Sequence, residues 1–218
     1  MLGMWQLGPF NIYIPHLIII FSILISGFLA SGLAKRHQLS ITPKQAFDLI
    51  TEAWIVFFIV WKLSYFFYHP ADLAENPIVI LYFFGGEWGM LLAGVSAGIY
   101  SYFHAKKYGL PLTDNLILVL TSGVFIKSID VLIDYNQLKE YIFLIEGFIY
   151  ISVLVYFAVF NRYTLIMFFR LLRWILIVWV IFRVATEELQ LYFEWTIFAI
   201  IVSLILLFSE WKFGKEKV

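Results

Sequence analysis

Residues 12–33 read IYIPHLIIIFSILISGFLASGL, and residues 1–34 as a whole contain no Asp, Glu, Lys or Arg. A bilayer core about 30 Å thick is crossed by a helix of about 20 mostly apolar residues. The run is too long for the apolar part of a signal peptide, and no basic start precedes it. It is read as a first membrane span, about Ile12 to Leu33. Outward from it, further apolar runs follow at about 45–67, 84–103, 113–133, 142–160, 164–184 and 191–209. Short polar segments such as KRHQLSITPK and HPADLAENP separate them. None alternates polar with apolar residues as barrel strands do. The expected fold is all-α: a polytopic membrane helix bundle of seven transmembrane helices, one transmembrane domain over residues 1–218.

Composition agrees. Hydrophobic residues make up 62% of the 218 residues, against about 45–50% in soluble domains. Fifteen Lys+Arg balance 15 Asp+Glu, and no basic patch argues for nucleic acid. The chain has no Cys, which excludes disulfides, thiolate metal sites, a Cys nucleophile and a lipidated Cys. Phosphate-binding Gly loops, HExxH and GxSxG are absent. The four His (His16, His37, His69 and His104) fall in different segments. No metal and no cofactor is expected.

Local signals refine the helices. Thr42-Pro43-Lys44-Gln45 fits a Thr cap, a Pro at the first helical position and a capping-box Gln. Residues 78–90 (IVILYFFGGEWGM) are either helical or re-entrant, because Gly85-Gly86 can break a helix. Gly94 and Gly98 form GxxxG, read as a close-packing face.

Basic residues set the expected orientation. Residues 1–11 carry none. The first connection has Lys35, Arg36 and Lys44, and the second only Asp72 and Glu75. The third has Lys106 and Lys107, and the fourth Lys139. The fifth has Arg162, followed by Arg170 and Arg173, the sixth only Glu187 and Glu188. The tail carries Lys212, Lys215 and Lys217. This alternation puts the N-terminus outside and the C-terminus in the cytoplasm.

Charge at mid-span costs roughly 2.5–3.5 kcal/mol for a basic or Asp residue, so it faces a partner or a wet cavity. In this orientation Lys62, Glu87, Lys127, Asp130, Glu146, Arg183, Glu187 and Glu194 fall in the outer half. Asp48, Glu52, Asp114, Arg170 and Arg173 lie near inner helix ends, where side chains can snorkel. Lys127 and Asp130 are i,i+3, and Arg183 and Glu187 i,i+4, so each pair shares a helix face. A single pair reads equally well as an ion pair locking helices. The shared depth of the set favours a polar chamber. Arg and Lys there suit a phosphate headgroup, and the carboxylates suit an orienting or proton-accepting role. A proton or ion pathway fits the same residues.

Leu7-Gly8-Pro9, Lys62 with Tyr65, Gly85 to Met90, Tyr141 with Glu146-Gly147, and FRVATEE at residues 182–188 together resemble a known family, the bacterial prolipoprotein diacylglyceryl transferases. Leu7-Gly8-Pro9 before an apolar helix is similar to that family's start. Lys62 with Tyr65 resembles its Arg-x-x-Tyr. Gly85 to Met90 echo an acid, two glycines and a Met before helix 3. Tyr141 with Glu146-Gly147 resembles the helix after its central loop. FRVATEE, residues 182–188, puts Arg183 and Glu187 where the family has an essential Arg and a Glu one turn on. The sequence departs elsewhere. Ala93-Gly94-Val95 stands for a His-Gly-Gly, Pro15-His16 for a Tyr-Gly, and Lys127 for an essential Arg. Only about 134–141 occupy the place of a periplasmic head domain.

The resemblance implies a multi-pass protein of the bacterial cytoplasmic (inner) membrane. It implies transfer of diacylglyceryl from phosphatidylglycerol to a lipobox cysteine, releasing glycerol 1-phosphate. Arg183, Lys127 and Glu187 would be catalytic, and Lys62, Tyr65, Asp130 and Glu146 lipid-binding. The expected partners are the anionic phospholipid, prolipoprotein signal peptides and the membrane. The alternatives are a non-catalytic lipid-binding or partner-binding paralogue and a small transporter. The latter lacks the repeated half that transporters often carry.

Overall fold

The computed structural model describes residues 4–7, 10–68, 70, 85–138, 140–160, 165–185, 200–205 and 207. The chain opens with a hairpin of β1 (Met4–Leu7) and β2 (Phe10–Tyr13). The strands run antiparallel, with Leu7 opposite Phe10 and Met4 opposite Tyr13. Helices follow: α1 (Ile14–Arg36), α2 (Pro43–Tyr68), α3 (Gly86–Lys107), α4 (Leu112–Leu138), α5 (Tyr141–Phe160) and α6 (Leu165–Ala185). Residues 200–205 are also helical.

Among the described residues every element is thus a helix apart from one short hairpin. The hairpin corrects the expected start of the first span, since Ile12 and Tyr13 are in β2. Residues 86–90 are helical from Gly86 onward, while 78–84 lie outside the described residues. So do residues 191–199 of the expected last span.

At about 1.5 Å per residue, helices of 20 to 27 residues run about 30–40 Å. Among the described residues, Leu17–Arg36 and Leu112–Asp134 are long and apolar enough to cross a membrane. The outside carries large apolar side chains, among them Phe28, Phe67, Trp88 and Phe103, while Ser26, Ser64, Ser101, Ser122 and Ser128 are buried. Small polar residues inside and large apolar ones outside suit helices that pack in lipid.

Contacts divide the chain into two compact units, Gly27–Asn115 and Met1–Ser26 with Leu116–Val218. In the first, α2 starts with a formed capping box. Gln45 N–H donates to Thr42 Oγ1 at 3.2 Å, and Thr42 N–H donates to Gln45 Oε1 at 2.9 Å. Ser31 Oγ donates to the Pro43 carbonyl at 2.7 Å, tying α1 to that start. α2 and α3 pack along their lengths. They come close at Ser64, which fills the space a side chain would need at Gly85 and Gly89. Trp61 Nε1 donates to the Gly86 carbonyl at 3.3 Å, and Gly85 N–H to the Trp61 carbonyl at 3.2 Å. Gly86 has φ +62°, a left-handed conformation that glycine adopts without strain. Among the described residues, a β-carbon at Gly94 or Gly98 would meet nothing within 4 Å. The close-packing expectation for that pair is therefore corrected: the contact lies at Gly85 and Gly89.

In the second unit, Leu171 of α6 is fully buried against Leu120 of α4 and Val153 of α5. At Gly147 a β-carbon would lie 3.0 Å from Leu132 and 3.5 Å from the Ser128 carbonyl. The missing side chain lets α5 sit close on α4 there.

Candidate functional site

Lys127 and Asp130, one turn apart on α4, meet through Nζ and Oδ2 at 2.8 Å. Both heads are partly exposed, so the ammonium can turn to a ligand without leaving its carboxylate. The next residue, Ser128, is fully buried, and its hydroxyl donates to the Val124 carbonyl at 2.6 Å. Gly147 is seated against this stretch of α4, and its neighbour Glu146 is buried, with 4% exposure. A carboxyl kept from solvent needs polar partners to offset its desolvation, and Glu146 has them. The packed α4–α5 pair therefore carries three of the expected site residues. Arg183 lies on α6 of the same unit, beside buried Phe182. Its side chain is outside the described part, and Glu187 lies outside the described residues.

Lys62 and Tyr65 belong to the other unit. Lys62 is buried on α2, its Nζ 5.8 Å from the centre of the Phe58 ring. That is within cation–π range. Tyr65 is one turn further and meets the edge of Phe66 at 5.8 Å. Trp61 and Ser64, the residues that grip the start of α3, alternate with them along the same turn.

A second polar cluster in the Gly27–Asn115 unit was missed in the sequence. Tyr100 Oη donates to Glu52 Oε2 at 2.5 Å. His104 Nδ1 lies 2.8 Å from Tyr100 Oη and 3.0 Å from Glu52 Oε2, and Nε2 lies 3.0 Å from Tyr108 Oη. A neutral ring fits this set with its hydrogen on Nδ1 and Nε2 accepting from Tyr108. Tyr100, His104 and Tyr108 recur every four residues, one face of a helix. That spacing was the available signal. Beside them lies a cavity of about 680 Å³ lined by Val56, Ile99, Tyr100, Phe103, His104 and Lys107. A smaller one of about 360 Å³, between Ser64, Phe67 and Trp88, is apolar. Among the described residues no group of three or more His, Asp or Glu gathers as metal ligands would.

No family model matches the chain. No solved structure matches it. It is similar to curated proteins named phosphatidylglycerol–prolipoprotein diacylglyceryl transferase. The one from Rickettsia typhi is 33% identical over 131 residues, 57% of this chain and 50% of the relative. The one from Rickettsia canadensis is 31% identical over the same shares. The one from Rickettsia akari is 29% identical over 136 residues. The chain spans about half the length of the curated relatives it matches. The similarity to these relatives covers more than half of the sequence, at the identity of a divergent relative.

Proposed function

We propose that the chain is a divergent diacylglyceryl transferase of the bacterial cytoplasmic (inner) membrane. It forms a single domain of seven spans, with its N-terminus outside and its C-terminus in the cytoplasm. It moves diacylglyceryl from phosphatidylglycerol to the cysteine thiol of a prolipoprotein lipobox. The observation that carries this is the similarity to the rickettsial transferases over 57% of the chain.

The chemistry asks for a proton acceptor and for cations at a leaving phosphate. The acceptor thiol gives its proton to a carboxylate, for which Glu146 or Asp130 is suited. The thiolate sulfur attacks the diacylglyceryl carbon, a C–S bond forms, and the C–O bond to phosphate breaks. The electron pair leaves with glycerol 1-phosphate. Arg183 and Lys127 neutralise that phosphate, where charge-assisted hydrogen bonds are strongest. Asp130 holds Lys127 at 2.8 Å, and Glu187 orients Arg183. Lys62 and Tyr65 steer the lipid headgroup. The test is release of glycerol phosphate from phosphatidylglycerol together with the mass gain of a lipobox peptide.

A second reading, a lipid-binding paralogue without turnover, is favoured by two observations. Helix α4 ends at Leu138 and α5 begins at Tyr141. The connection is too short to hold a head domain, and buried Ala93 stands where the resembled family has His. Retention of phosphatidylglycerol without glycerol phosphate release would favour this second reading.

A further inference from the structure

The polar cluster on α2 and α3 opens onto a groove with a charge gradient, which the transfer chemistry does not use. Ser40 Oγ donates to the Gly109 carbonyl at 3.3 Å, so the connection after α1 meets the connection after α3. Lys35 and Arg36 end α1, Lys44 lies in the first turn of α2, and Lys106 and Lys107 end α3. This end of the Gly27–Asn115 unit is therefore basic. From it the cavity runs up one face of α3, through Lys107, His104 and Phe103 to Ile99, with Val56 of α2 opposite. Lys107 to Ser96 covers about 16 Å at the helical rise. Phe103 and Ile99 are 64% and 54% exposed.

Glu52, the carboxylate at the groove's polar end, is engaged by Tyr100 and His104. Among the described residues Lys107 has no carboxylate partner. The polar end thus offers a cation and the wall offers apolar surface. A zwitterionic lipid, whose phosphate is offset by its own ammonium, matches the net positive charge of this end less well than an anionic one.

We propose that this groove is a binding site for an anionic phospholipid. Its phosphate lies at Lys107, and an acyl chain lies along Phe103, Ile99 and Val56. The site goes beyond the transferase reading and shares no residue with it.

The test is native mass spectrometry of the full chain in detergent. Dioleoylphosphatidic acid is the anionic probe and dioleoylphosphatidylcholine the zwitterionic one. The chain should retain the anionic lipid preferentially, and Lys107→Gln should lower that retention on the order of tenfold. Ile99→Trp fills the groove with every charge kept, and should lower retention of both lipids. Equal retention of both lipids by the unaltered chain would overturn the proposal. So would full retention of the anionic lipid in both Lys107→Gln and Ile99→Trp.

Discussion

The Lys127 ammonium lies 2.8 Å from the Asp130 carboxylate, one turn along α4 and on the stretch that receives Gly147. A lysine meets a phosphate as a point charge, whereas an arginine binds two of its oxygens at once. Lys127→Arg should therefore lower KM for phosphatidylglycerol severalfold with kcat little changed. Lys127→Ala should reduce kcat/KM by about 100-fold, within the range of lost transition-state charge stabilisation. Steady-state kinetics at varied lipid mole fraction would check both.

The approach of α2 to α3 has no room for a β-carbon at Gly85. It would overlap Ser64 Oγ and come within 2.8 Å of Ser64 Cβ and 2.9 Å of the Trp61 carbonyl. Gly85→Ala should destabilise the protein by about 1–3 kcal/mol, the usual range for overpacking. Adding Ser64→Gly should restore part of the loss. Gly94→Ala, in open space, should change stability by no more than about 0.5 kcal/mol. Thermal unfolding in detergent measures all three.

Thr42 and Gln45 cap one another: Thr42 Oγ1 accepts from the Gln45 N–H, and Gln45 Oε1 accepts from the Thr42 N–H. Thr42→Ala should cost about 0.5–2 kcal/mol, and Thr42→Ser should keep most of the stability. A Thr42→Ala variant as stable as the unaltered protein would contradict a capping role.

That cap was legible in four residues, because Thr, Pro and Gln at fixed spacing fulfil a local backbone need. The helices were legible for a related reason: apolar runs of spanning length admit few other structures. The hairpin was not. Ile12, Tyr13 and Ile14 are apolar in succession, and a short apolar run does not separate strand from helix. The GxxxG at Gly94 drew attention while the close contact lay at Gly85 and Gly89, since spacing says nothing about which face meets a neighbour. The Tyr100–His104–Tyr108 stripe was visible on one helix. Its partner Glu52 comes from 48 residues earlier, and that pairing exists only once α2 and α3 have packed. Lys127 with Asp130 needed no packing, only one turn of helix.

The central claim is transfer of diacylglyceryl, and Arg183 is the residue on which it turns. The decisive measurement presents purified protein with phosphatidylglycerol and a lipobox peptide carrying Cys. It records peptide mass and released glycerol phosphate together, for the unaltered chain and for Arg183→Ala. The account predicts a diacylglyceryl mass gain matched by glycerol phosphate, both lost in Arg183→Ala. Full turnover in Arg183→Ala would contradict the assigned site. No mass gain from the unaltered chain, with a rickettsial transferase active under the same conditions, would contradict the transferase itself.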